Sequence, residues 1–315
     1  MEAVNRKMKL IVILGPTACG KTALSLDVAE AFSGEIISGD SMQIYRGMDI
    51  GTAKIRPSER RNIPHHMLDI LSPLESFSVA DFRCRVMKTA EEITQRNRIP
   101  VLVGGTGLYI SSLLYPYSFS ATADPDPDIR RKLAEEYALL GPQVMHQRLE
   151  KIDPEAAKRI HPNDQHRVIR ALEVYQLSGK PISSQEKNNV ESVFSPELIG
   201  LTAPREKLYH RIETRVDAMI EEGLVDEVQR LMKEGLTLEH QAMQGIGYRQ
   251  IAKYVLGEYS LAEAIALIKR DTRRFAKRQM TWFRRMENIQ WFNWGEDKSE
   301  EELNREVCDW LVGRI

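Results

Sequence analysis

The eight residues Gly15-Pro16-Thr17-Ala18-Cys19-Gly20-Lys21-Thr22 constrain the fold of this chain more than any other stretch. They read Gly-x-x-x-x-Gly-Lys-Thr, the pattern of a phosphate-binding loop. Both flanks fit that reading. Leu10-Ile11-Val12-Ile13-Leu14 is an apolar, largely β-branched run of the kind that forms a buried strand. Leu24, Val28 and Phe32 recur every four residues, which is one face of a helix. Strand, loop and helix in that order aim backbone N–H groups and a helix N-terminus at one anion. Lys21 adds a full positive charge, and the Thr22 hydroxyl is placed to hold Mg²⁺. The pattern specifies a phosphate or diphosphate, not the molecule that carries it.

Further strand-sized runs follow at Glu35-Ile36-Ile37-Ser38, Met67-Leu68-Asp69-Ile70 and Pro100-Val101-Leu102-Val103. A helix is expected from Ser78 to Arg96, with Ser78 and Asp81 spaced as a capping box. Alternation of strands and helices predicts an α/β fold, a parallel sheet of the P-loop NTPase type flanked by helices. Ligands of such sheets sit at the C-terminal ends of the strands, which gathers residues 15–22, Asp40 and Thr106 on one edge. After Asp124-Pro125-Asp126-Pro127-Asp128 the pattern turns wholly helical, and 181–197 reads as a polar connector. The organisation predicted is a core of residues 1–116 and 198–315 with an all-helical insertion at 117–197. Helices are expected over 204–222, 225–233 and 260–287, with a last strand at 289–292.

Composition narrows the function. In 315 residues, 42% are hydrophobic and 28% charged, and the apolar runs are strand-sized, so no membrane partner is expected. The polar start and three scattered cysteines argue for a reducing cytoplasm, without a disulfide framework or a zinc site. His65-His66 and the pair His161 and His166 lack metal-ligand spacing. The net charge of −1 hides an uneven distribution: residues 269–285 carry eight Lys or Arg against one acid, interleaved with Phe275 and Trp282. Basic side chains beside aromatic rings suit a nucleic-acid backbone and unstacked bases. Arg211 and Arg215, one helical turn apart, suit either a diphosphate clamp or a surface ion-pair ladder. Asp40, at a strand end, is open to three roles: Mg²⁺ ligand, general base or helix cap.

Taken together, the motifs resemble one family. Gly-Pro-Thr-Ala-x-Gly-Lys-Thr, Asp40-Ser41 with Gly47-Met48-Asp49-Ile50-Gly51-Thr52-Ala53-Lys54, and Gly104-Gly105-Thr106 are similar to the tRNA dimethylallyltransferases, also called tRNA isopentenyltransferases. So are Arg159-Ile160-His161-Pro162-Asn163-Asp164, Gly245-Ile246-Gly247-Tyr248-Arg249-Gln250 and Ala276-Lys277-Arg278-Gln279, in order along almost the whole chain. The resemblance implies transfer of a dimethylallyl group from its diphosphate to N6 of the adenosine next to the anticodon (position 37 of the tRNA), with Mg²⁺. It implies catalytic roles for Asp40 as general base and for Lys21, Thr22 and Arg215 against the leaving diphosphate. Gly15, Pro16, Thr17, Ala18, Cys19, Gly20, Lys21 and Thr22 would cradle that diphosphate where other loops of this type cradle ATP.

The helical insertion would grip the anticodon stem-loop, with Gln165, His166, Arg167 and Arg170 on the RNA. Ser41, Met42 and Gln43 beside Asp40, and Thr106, would meet it as well. Gly245, Gly247, Tyr248 and Arg249 form a further expected contact, as do Lys277, Arg278, Gln279, Trp282 and Arg284. The target adenine would be flipped into a channel. The chain resembles the bacterial form and is expected to be a monomer. The rival readings are a phosphate-loop kinase, a prenyltransferase of free adenine nucleotides, and an RNA-binding protein whose loop is only an anion site.

Overall fold

In the computed structural model, which describes residues 7–115, 126–184, 192–295 and 298–315, every side chain from Leu10 to Leu14 is sealed from solvent. These residues lie in β1 (Met8–Leu14), and their period of two divides them between two cores. Leu10, Val12 and Leu14 enter one apolar layer, and Ile11 and Ile13 the other. Burial on both faces is what a continuous apolar strand requires. Each such side chain contributes about 1.5–3 kcal/mol of transfer free energy.

The α/β unit comprises residues 1–115 and 192–315. After β1 come α1 (Lys21–Ala31), β2 (Gly34–Ser38), β3 (His65–His66), α2 (Val79–Gln95), β4 (Ile99–Gly104) and α3 (Gly107–Leu114). The expected capping box closes α2: Ser78 N–H donates to Asp81 Oδ2 at 2.9 Å, and Asp81 N–H to Ser78 Oγ at 3.2 Å. The second unit, residues 116–191, carries α4 (Pro127–Leu140), α5 (Pro142–Ile152), α6 (Pro154–Ala157) and α7 (Gln165–Ser178). Proline stands at the first helical position of α4, α5 and α6, where its missing N–H costs nothing. The unit has its own core around Leu133, Tyr137, Met145, Leu149, Val168 and Leu172. Glu173, fully buried, is neutralised there by Arg130 and Arg170, each at 2.8 Å.

The chain returns as β5 (Phe194–Thr202), then α8 (Arg205–Glu221), α9 (Leu224–Lys233), α10 (Tyr248–Val255), α11 (Leu261–Phe283), β6 (Ile289–Asn293) and α12 (Glu300–Leu311). The six strands of the described sheet are parallel, in the order β3-β2-β4-β1-β5-β6. The loop 15–22 therefore leaves a central strand, and the segments after β2, β4 and β5 open at the same edge.

Several expectations shift. β5 begins at Phe194, not Leu198, so 194–197 belong to the sheet and not to a connector. Residues 185–191 of that expected connector lie outside the described residues. Pro196 in Ser195-Pro196-Glu197 disguises the strand. It is tolerated because β6 pairs only with Leu198–Thr202, leaving that part of β5 an edge. The third strand is His65–His66, because Met67 and Asp69 adopt left-handed backbone (φ 63 and 56) that ends the ladder. The long helix stops at Phe283. Among the described residues, three helices go beyond what was expected from the sequence: α3, α10 and α12. The Ser299–Glu302 capping box is the local signal that marks the start of α12.

Candidate active site at the phosphate loop

The loop reaches its shape through positive φ at Gly15 (152), Ala18 (64) and Gly20 (90). Gly15 also needs its bare backbone, since a Cβ there would lie 2.5 Å from the Leu201 carbonyl oxygen. Lys21 Nζ donates to the carbonyls of Gly15 at 3.0 Å and Pro16 at 2.6 Å. Desolvation lowers the pKa of this ammonium, and the Arg215 charge acts in the same direction, against Cys19 and Asp40. A cation held so is poised for an anionic ligand.

Two cavities open at this edge. The smaller, about 360 Å³, is walled by residues 17–23, Asp40, Gln43, Arg211, Arg215 and Glu300. The larger, about 680 Å³, is lined by Ser41, Met42, Thr106, Ile212, Met219, Ile246, Arg249, Arg274, Phe275 and Arg278 among others. Both share Thr17, Asp40, Thr52, Ala53 and Arg215. Asp40 thus stands where a polar, loop-sided cavity meets a broader one with apolar walls and an arginine rim. Its Oδ1 accepts from Met42 N–H at 2.8 Å. Enclosure raises its pKa above the ordinary aspartate value, opposed by the N–H groups of Met42 and Gln43 and by the Lys21 charge. A desolvated, partly hydrogen-bonded carboxylate of this kind is a competent proton acceptor. No helix starts at Asp40, which removes the cap reading.

Arg215 lines both cavities, and Arg211 lines the smaller. The Arg211 guanidinium lies 4.2 Å from the Trp294 ring centroid and 3.6 Å from Glu300 Oε2. Glu300 reaches the loop so closely that a Cβ on Gly20 would lie 2.9 Å from its Oε1. Nothing in the sequence places this acidic neighbour beside the loop; only the packing of α12 does.

Four residues expected on an RNA surface are buried. Gln279 is 5% exposed: its Oε1 accepts from Thr17 N–H and its Nε2 donates to the Gly105 carbonyl, both at 2.9 Å. Tyr248 is 1% exposed and donates to Glu227 at 2.6 Å. Gly245 and Gly247 are buried as well, but they line the larger cavity. Lys277 on α11 and Arg284 just past its end do face solvent, with Trp282 at 36% exposure donating its Nε1 proton to Ser111 Oγ at 3.0 Å. Arg249 is 3.5 Å from Asp271 and still lines the larger cavity. Gln165, His166 and Arg167 form the exposed first turn of α7, capped by Asp164.

Residues 43–286 match the family described as IPP transferase, and residues 8–70 match isopentenyl transferase. The chain belongs to the IPP transferase family. It is 52% identical over 303 residues to a tRNA dimethylallyltransferase of Carboxydothermus hydrogenoformans, covering 96% of this chain and 97% of that one. A tRNA dimethylallyltransferase of Bacillus cytotoxicus is 49% identical, over 100% of this chain and 98% of the relative. Among solved structures, the tRNA isopentenylpyrophosphate transferase of Bacillus halodurans superposes with a TM-score of 0.73 at 45% identity, covering 98% of this chain and 97% of that one. A eukaryotic dimethylallyltransferase acting on tRNA gives 0.77 at 30% identity, over 97% of this chain and 76% of that one. The family relationship runs through both flanks of the loop and fits the P-loop sheet already described. Among the described residues no helix is long and apolar enough to cross a membrane.

Proposed function

We propose that this protein transfers a dimethylallyl group from dimethylallyl diphosphate to N6 of the adenosine next to the anticodon of tRNA, releasing diphosphate. The observation that carries the reading is the meeting of the two cavities at Asp40 and Arg215. A diphosphate on the loop N–H groups and Lys21 points its allylic carbon toward that junction. An adenine entering by the larger cavity, flipped from its stack, brings N6 to the same place. The N6 lone pair is delocalised into the ring, so N6 attacks only as its proton leaves. The bond from N6 to the allylic carbon forms, the carbon–oxygen bond to diphosphate breaks, and the proton passes to Asp40. Charge accumulating on the leaving diphosphate faces Lys21, the loop N–H groups and Arg215.

Mg²⁺ fits the residues present. Among the described residues no three His, Cys, Asp or Glu form a metal cage. Mg²⁺ asks for little protein, commonly one or two oxygens with waters and substrate phosphates completing its shell. The Thr22 hydroxyl, on the wall of the smaller cavity, would hold it. When bound, the ion neutralises charge on the diphosphate. The exposed cations Lys277 and Arg284 and the first turn of α7 are the surfaces for the RNA, each within its own unit.

The test is incubation of the protein with dimethylallyl diphosphate, Mg²⁺ and unmodified tRNA, followed by mass spectrometry of the digested RNA. Prenylated adenosine in the tRNA is expected. In parallel incubations with AMP or ATP, prenylation of AMP without any tRNA product, or hydrolysis of ATP, overturns the reading, as does RNA binding without product.

A further inference from the structure

One carboxylate outside the cavities is bonded to capacity. Glu227, on α9 and 8% exposed, accepts the backbone N–H groups of Asp49 and Ile50 at 2.9 Å each and of Gly51 at 3.2 Å. The Tyr248 hydroxyl, on α10, donates to it at 2.6 Å. The Tyr248 ring packs on Gly51 so tightly that a Cβ there would sit 2.5 Å from it. A buried charge accepting three consecutive N–H groups and a phenol is fully compensated, and it holds that backbone far more firmly than a solvated loop holds itself.

What is held leads to the reaction centre. The residues after this anchor, Thr52 and Ala53, line both cavities. The Thr52 carbonyl accepts from Gln43 Nε2 at 3.1 Å, and Gln43 Oε1 accepts from Ser38 Oγ at 2.9 Å. The backbone N–H groups of Gln43 and its neighbour Met42 bond the Asp40 carboxylate. On the far side of the loop, the buried Lys54 ammonium donates to Asp49 Oδ1 and Asp69 Oδ1, both at 2.6 Å, and to the Tyr45 carbonyl at 2.8 Å. The segment 49–54 is clamped at both ends, and an unbroken path of hydrogen bonds runs from it to Asp40.

We propose that Glu227, with Tyr248, is a positioning residue of the active site: it pins the 49–51 backbone and, through Thr52 and Gln43, sets the Asp40 carboxylate at the junction of the cavities. The inference rests on Asp40 acting as the base, the reading given above. Glu227 lines neither cavity, so its effect is on geometry. Asp40 is also faced by Lys21 from α1, by Tyr109 from α3, and by Arg215 from α8 across the shared wall. None of these bonds to Glu227.

The experiment compares wild type, Glu227→Gln and Tyr248→Phe in single-turnover prenyl transfer to tRNA across pH, alongside tRNA binding and thermal melting. Glu227→Gln is expected to lose about tenfold to a hundredfold in rate at saturating substrates, the scale of a misplaced reacting group. Its tRNA affinity is expected within about threefold of wild type. The acid limb of its rate profile moves to higher pH, because loosening the Gln43 N–H bond to Asp40 favours the protonated carboxyl. Tyr248→Phe keeps the three N–H bonds to Glu227 and is expected to show a smaller loss in the same direction; it carries the test if Glu227→Gln does not fold. A lowered melting temperature with rate and acid limb unchanged makes Glu227 a structural residue only and overturns the inference. A wild type that prenylates no tRNA fails the proposed function itself, a result distinct from an active wild type matched by active variants.

Discussion

The Gln279 side-chain oxygen accepts the Thr17 backbone N–H at 2.9 Å, tying the middle of the phosphate loop to the long helix α11. The other end of the same amide donates to Gly105, just after β4. One side chain therefore holds two of the segments that meet at the sheet edge. Replacing it by leucine leaves the half-buried Thr17 donor without that partner and the Gly105 acceptor unpaired in a buried place, the latter at about 1–3 kcal/mol. Gln279→Leu is expected to lower the urea midpoint and to weaken pyrophosphate binding measured by calorimetry. Wild-type pyrophosphate affinity in the folded variant would remove the loop-holding role.

Asp40→Asn keeps the shape and removes the proposed proton acceptor. Single-turnover transfer is expected to fall by about 10²–10⁴-fold, the usual contribution of a positioned base, with tRNA binding retained. The pH dependence has a definite sign. As the proposed base Asp40 has to be deprotonated, and its pKa is raised by desolvation above the ordinary 3.8. The wild-type rate should therefore decline with acidification at a pH higher than 3.8. A rate flat down to that value would count against Asp40 as the base.

Glu35 gives a stability counterpart. Its carboxylate accepts from Arg96 Nε at 3.1 Å and Nη2 at 2.7 Å, and meets His66 Nε2 at 2.7 Å. The Arg96 hydrogen bonds hold its pKa below the ordinary 4.5, overcoming desolvation. A depressed carboxylate contributes stability that is complete above its unfolded pKa and is lost as pH falls through the lower folded value. Wild type should lose melting temperature as pH drops below about 4.5 more steeply than Arg96→Ala does. Parallel curves for the two proteins would exclude this linkage.

The exposed cations Lys277 and Arg284, at the end of α11, are proposed RNA contacts and should answer to salt. Lys277→Ala and Arg284→Ala, singly, are each expected to weaken tRNA binding. Each should also reduce the slope of log affinity against log salt by about one for every phosphate no longer neutralised. Saturating tRNA should restore most of the turnover. An unchanged slope in both variants would place the RNA elsewhere.

The strand-loop-helix unit at 8–31 is legible in the sequence because every signal there is local. Leu10 to Leu14 must be buried on both faces, and glycine stands at 15 and 20, where φ is positive and a Cβ on Gly15 would meet the Leu201 carbonyl. The helices of residues 127–178 are legible for the same reason, with proline at the start of α4, α5 and α6, and Asp126, Asp153 and Asp164 capping α4, α6 and α7. The start of β5 is not legible, because whether Pro196 is tolerated depends on where β6 stops, a fact of pairing and not of composition. Gln279 and Tyr248 look like RNA contacts on paper, since a polar side chain in a basic or glycine-rich motif suggests exposure. In the fold each satisfies a buried backbone or carboxylate group instead.

By itself the sequence determined the phosphate loop, the parallel α/β architecture, the basic helix and the family, since each rests on residue types at short spacing. Only the tertiary structure decided which distant residues share one wall. It brought Asp40, Arg215 and the loop to the junction of two cavities, set Glu300 of α12 beside Gly20, and committed the Glu227 carboxylate to the backbone of residues 49–51. Those are contacts between residues up to 280 positions apart, the separation of Gly20 and Glu300. They arise because parallel strands open their C-terminal ends along one edge, where packing and the need to satisfy buried polar groups choose the partners.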